Sequence, residues 1–169
     1  TPARSVQKLL WAKARGLTPA GGVGVIKLTD NLWIGDSSDE MYVDLAPLEI
    51  GAVLNVAQDL QSSRGWMDGV EHMQVGLIDG PGNLLYTYYA AVLALVTLTR
   101  RCNTLVCCHT GGRSLAVAVM YLSLTTVPRD WFGWLDLLRE RVEEELPVPH
   151  DAHRLAFDKI NWRLLATAI

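Results

Sequence analysis

The 169-residue chain has room for one domain with a substantial core; half of its residues are apolar and a fifth are charged, as in an ordinary globular protein. A formal net charge of -3 with no basic stripe argues against a nucleic-acid partner. Three cysteines, two of them adjacent, do not make a disulfide framework. Neighbouring Cα atoms lie about 3.8 Å apart, short of the roughly 4.4–6.8 Å that a disulfide spans. Cys102 would sit about 17 Å from Cys107 across an extended segment, too far to pair. All three are read as reduced thiols of an intracellular, cytoplasmic protein.

In chain order, residues 5–15 mix Lys8, Lys13 and Arg15 with Leu9, Leu10 and Trp11 and stop at Gly16. That pattern predicts a short basic amphipathic helix, laid across the domain as a brace. Residues 18–24 form a glycine-rich linker, so the chain divides into 1–24 and a domain over 25–169. Strands are predicted at 25–28 and 32–34 around a turn at Asp30-Asn31, then a short helix capped within 36–38 and running to about 48. A buried strand follows at 52–56, a polar irregular stretch at 57–69, and another strand at 72–77. Gly80, Pro81 and Gly82 then make a defined turn, with Asn83 expected to cap the next helix.

Residues 84–99 carry no charge but fall short of the roughly 20 residues a bilayer requires, so they are read as a core helix, not a membrane span. Beyond Pro128 a helix is expected from Asp130 to about 146, with Trp131, Trp134, Leu135 and Leu138 on one face and Glu143 to Glu145 at its solvated end. Pro147 and Pro149 break the chain before a last helix over 151–167. His150 and His153 lack a further nearby ligand, so no metal is expected. Alternating strands and helices predict an α/β layer fold.

The most informative stretch is Val106-Cys107-Cys108-His109-Thr110-Gly111-Gly112-Arg113-Ser114. A short apolar run precedes it and a long one follows, which reads as strand, tight glycine-bearing loop, and a helix opening at Arg113 or Ser114. Such a loop turns successive N–H groups inward, and the helix adds its unpaired donors and positive dipole end. The hollow suits a phosphate-sized anion; Arg113 adds a guanidinium that grips two oxygens, and Cys107 is expected at the entrance.

Cysteine, five residues, arginine, then a hydroxyl residue resembles the loop of the cysteine-dependent phosphatases. Ile26 to Gly35, read as I-x-x-x-x-N-L-W-I-G, and Val53-Leu54-Asn55-Val56-Ala57 resemble the dual-specificity branch of that family. The likeness covers about residues 25–165. It implies a central mixed five-stranded sheet with helices on both faces, and a shallow phosphate pocket. It also implies Cys107 as nucleophile, Arg113 as phosphate clamp and Ser114 as leaving-group helper, with Cys108, His109, Thr110, Gly111 and Gly112 lining the cradle. The family's general acid maps to Asp79, whose other reading is a turn-stabilising Asp; Asp59 and Asp68 are the backups.

Two positions depart from the family pattern. Val106 stands where a His usually precedes the nucleophile, and Thr110 where a Gly usually lies three places after it. Aligning Cys108 instead restores that glycine as Gly111 but leaves four residues before Arg113. The longer loop offers one more amide, which favours Cys107 and leaves Cys108 as the alternative.

The implied activity is hydrolysis of phosphotyrosine and phosphoserine/threonine monoesters of proteins, through a cysteinyl-phosphate, without metal or cofactor. No Lys or Arg lies between Cys107 and Arg113, which tilts the substrate away from phosphoinositides and towards phosphoprotein. Arg64 and Trp66 are candidates for substrate contact. A phosphatase-fold module that only binds phosphorylated partners, a sulfur- or arsenate-handling enzyme, and a redox protein using the vicinal cysteines are the other readings.

Overall fold

In the computed structural model, residues 25–36, 46–60, 69–127 and 129–169 are described. The expected N-terminal helix and linker, most of the helix to 48, and Arg64, Trp66 and Asp68 lie outside them. Five strands form one sheet: β1 (Ile26–Thr29), β2 (Leu32–Gly35), β3 (Ile50–Ala57), β4 (Glu71–Leu77) and β5 (Asn103–Cys107). Their order is β1-β2-β5-β3-β4, with only the β1–β2 hairpin antiparallel. The described residues also form five α-helices: α1 (Leu85–Thr99), α2 (Gly112–Thr125), α3 (Trp131–Arg141), α4 (Asp151–Lys159) and α5 (Trp162–Ala166). The mixed five-stranded sheet is the one expected.

Strand alternation divides the core. Ile34, Val106 and Leu54 are register partners on β2, β5 and β3 and face the larger cluster, which takes in apolar residues of all five helices. One position earlier, Trp33, Leu105 and Val53 face the other way into a smaller cluster with Val25, Ile50 and Cys107. The described α-helices therefore cover one face. β5 and α2 form the centre: every residue of α2 from Gly112 to Met120 is buried, as a helix apolar on nearly all sides requires.

Several boundaries differ from expectation. α3 ends at Arg141, because Val142 is already extended, so Glu143 to Glu145 follow the helix. Carboxylates there would oppose its dipole, whereas Arg139 and Arg141 in the last turn complement it. The final helix is two helices. Ile160 takes an extended conformation, and the Asn161 side chain accepts from Leu164 N at 3.0 Å to cap α5. An edge-on aromatic row, Trp131–Phe157–Trp162, with centroids 5.5 and 5.0 Å apart, ties the three last helices together. Asn83 does not cap α1; its side chain bonds Ile78 N and O at 2.8 Å, closing the loop between β4 and the helix. No described helix is long and apolar enough to cross a membrane.

Candidate functional site

The site lies beyond the carboxyl ends of the four parallel strands, where open α/β sheets leave a crevice. β5 ends at Cys107, the chain turns through residues 108–111, and α2 begins at Gly112, one position earlier than expected. Gly111 carries φ 93°, and a Cβ there would meet Pro147 Cγ at 2.9 Å. A Cβ at Gly112 would lie 3.3 Å from Val148 O. The two glycines are needed for different reasons: one for a left-handed backbone, both for the close strap of residues 147–149 over the loop.

In place of the expected position at the mouth of the loop, Cys107 is the last residue of β5 and packs fully buried in the smaller apolar cluster beside Trp33, Val53 and Leu105. Cys108 is the sulfur on which the loop converges. Its Sγ accepts from Gly111 N at 3.2 Å and Ser114 N at 3.4 Å, and Ser114 Oγ lies 3.4 Å away. The one hydroxyl proton of Ser114 has a choice of Gly111 O at 2.9 Å, Gly35 O at 3.2 Å, or that sulfur. The reason is the two-residue period of the strand: Val106 faces the larger cluster, so Cys107 must face away from it. Leu105, two positions before Cys107, carried that signal in the sequence.

Arg113 is 3% exposed and is held by its Nη1, which donates to Asp59 Oδ1 and to Leu77 O, each at 2.8 Å. Its buried Nε has no partner among the described residues. Leaving a guanidinium N–H unpaired in the interior is costly, so that edge is able to donate to an anion. Asp59 was not expected as a partner of Arg113. It is placed by the end of β3, where buried Asn55 accepts from Ala57 N at 2.9 Å and donates to Leu60 O at 2.6 Å, folding the chain back. The hydrogen bond from Arg113 is the main cause that holds the Asp59 carboxyl below its ordinary range, against partial desolvation. His109 Nε2 lies 3.5 Å from the same carboxylate, while Thr110 points outward, exposed.

Asp79 stands on the loop after β4, partly exposed, and its Oδ1 lies 3.1 Å from Nε2 of His153 on α4. His153 is fully buried, and its Nδ1 is 2.7 Å from Tyr88 Oη on α1. Burial holds the His153 imidazole below its ordinary range, although the Asp79 carboxylate pulls the other way; burial likewise raises the Tyr88 hydroxyl. Among the described residues no group of three or more His, Cys, Asp or Glu is placed to hold a metal ion.

No family model matches the sequence, and no curated protein does. Solved structures do. DUSP15 superposes with TM-score 0.72 at 17% identity, over 87% of this chain and 93% of its own. A human DUSP28 variant gives 0.64 at 21%, over 85% and 98%. OH1 from the Orf virus, described as a tyrosine phosphatase with triple substrate specificity, gives 0.63 at 23%, over 92% and 96%. The chain has the dual-specificity phosphatase fold.

Proposed function

We propose that this chain is a metal-independent phosphatase of the dual-specificity type, acting on phosphorylated proteins with Cys108 as nucleophile. The convergence of the Gly111 and Ser114 amides on Cys108 Sγ carries this reading, because a thiolate and an incoming phosphoryl group need the same donors. The cradle is then formed by His109, Thr110, Gly111 and Gly112, one residue shorter than the Cys107 register would make it. The unpaired Nε edge of Arg113 takes the phosphoryl oxygens while Asp59 and Leu77 O hold Nη1.

In the first step the Cys108 thiolate bonds to phosphorus and the phosphorus–oxygen bond to the leaving group breaks. Asp79, protonated, gives that oxygen its proton. In the second step water attacks the cysteinyl-phosphate, Asp79 takes a proton from the water, and the phosphorus–sulfur bond breaks to return the thiolate. The Ser114 hydroxyl donates to the departing sulfur, giving up its bond to Gly111 O. Phosphoprotein is favoured over phosphoinositide because residues 109–112 carry no Lys or Arg for further phosphates.

The deciding experiment is hydrolysis of p-nitrophenyl phosphate by wild type, Cys107→Ser and Cys108→Ser, each challenged with vanadate. Turnover lost in Cys108→Ser and retained in Cys107→Ser is the expected result; the reverse would restore Cys107 as the nucleophile. A second reading, a module that captures phosphorylated partners without hydrolysis, draws on the near-complete burial of Cys108 and Arg113. Phosphopeptide binding with no turnover in any form would favour it.

A further inference from the structure

The hydrogen bonds around His153 fix more than its position. Asn83 Nδ2 lies 3.2 Å from Tyr88 Oη and can only donate to it, so the Tyr88 oxygen is an acceptor there. The one Tyr88 proton is then directed to its other neighbour, His153 Nδ1 at 2.7 Å. A ring that accepts at Nδ1 and is neutral must carry its proton on Nε2, the nitrogen that faces Asp79 Oδ1 at 3.1 Å. Four side chains from the β4–α1 loop, α1 and α4 thereby form one directed chain: Asn83 to Tyr88 to His153 to Asp79.

The ring is fully buried and packs edge-on to Tyr88 and to His150, with centroids 5.9 and 6.2 Å away. The charged or titratable groups that act on it are Asp79, Tyr88, His150 and Arg113. Such a chain has a clear use only if the chemistry at Asp79 depends on which carboxyl oxygen does it.

We propose that His153 is the positioning residue for Asp79: neutral and protonated at Nε2, it holds Oδ1 as an acceptor and leaves Oδ2 to carry the proton to and from the reacting phosphate. This rests on the phosphatase reading above. In the first step Oδ2 gives its proton to the leaving oxygen while Oδ1 stays on Nε2. In the second, Oδ2 takes the proton of the attacking water, and the imidazole neither gains nor loses one. Tyr88 and Asn83 act through His153 by setting its tautomer, and Asn83 also closes the acid loop through Ile78 N and O. Helix α4, remote in sequence from the nucleophile loop, is by this inference a working part of the site.

The test compares phenyl phosphate, a poor leaving group that needs an acid, with p-nitrophenyl phosphate, which needs one little. Loss of the donor in His153→Phe is expected to lower kcat on phenyl phosphate about tenfold and to leave p-nitrophenyl phosphate nearly unchanged. His153→Gln, which can return an N–H to Asp79, recovers most of the loss. Equal losses on both substrates, or no recovery with Gln, would mean that His153 is a packing residue only. If His153→Phe does not fold, Tyr88→Phe takes its place, with the same dependence on leaving group expected and an equal loss on both substrates overturning the assignment. Imidazole nitrogen shifts read the tautomer without turnover: Nε2–H in wild type is expected, and a ring protonated at Nδ1 sinks the proposal. Wild type inert on both substrates, with Nε2–H in place, would instead sink the phosphatase reading and with it this role.

Discussion

Asp59 Oδ1 accepts from Arg113 Nη1 at 2.8 Å, although the two residues are 54 positions apart in the chain. One carboxylate and the Leu77 carbonyl take the same nitrogen, which sets the plane of the guanidinium and turns its Nε edge inward. On the phosphatase reading proposed above, Asp59 is the residue that orients the Arg113 clamp.

Removing that carboxylate should loosen the clamp without touching the sulfur. Asp59→Asn is expected to weaken vanadate inhibition and raise KM about tenfold, with kcat less affected. Because Arg113 lowers the Asp59 pKa from its ordinary 3.8, the pair is intact above that value and is lost only as pH falls through the still lower folded one. The deficit of the variant should thus be the same at about pH 5.5 and at about pH 7.5. A deficit that vanishes within that interval would show that some other group titrates with the clamp.

Asp79→Asn separates acid catalysis from binding. Turnover of phenyl phosphate should fall about 100-fold while p-nitrophenyl phosphate falls much less, because nitrophenolate leaves without a proton. Similar losses on both would move the general acid elsewhere.

Gly111→Ala tests the turn itself. A left-handed backbone costs a non-glycine residue about 1–3 kcal/mol, and the new methyl would also press on Pro147 Cγ at 2.9 Å. Urea unfolding should register a loss of at least that order, with turnover impaired as the Gly111 amide leaves Cys108 Sγ. Unchanged stability and activity would contradict the loop geometry.

The buried imidazole of His153 makes stability depend on pH. Its folded pKa lies below the ordinary 6.5, so in the window between the two the unfolded chain binds a proton that the folded chain refuses. Stability then rises with pH across that window and flattens above about 6.5. Thermal unfolding of wild type should follow that slope, and His153→Phe should remove it. A slope of opposite sign would mean that the folded protein holds His153 charged.

Local features were readable without a fold. The hairpin about Asp30-Asn31, the uncharged stretch that becomes α1, and the strand–loop–helix around residues 104–122 each follow from short-range patterns of apolar, turn and glycine residues. Those patterns also placed Arg113, Ser114 and Asp79 where the structure has them, one on a helix start, one beside it, one on a loop. The breaks at Val142 and Ile160 were less legible, because apolar periodicity continues past a helix end that only backbone geometry reveals.

Which way each of two adjacent thiols faces is not contained in its spacing to Arg113. β5 pairs with β2 and β3 in a register that sends Leu105 and Cys107 to one face of the sheet and Val106 to the other, and only then does Cys108 leave the sheet into the loop. Asp59 with Arg113, and His153 with Asp79, are contacts across 54 and 74 residues. Chain order specifies the chemistry of each group, but whether two such groups meet depends on how strands, helices and loops pack, and no local pattern contains that distance.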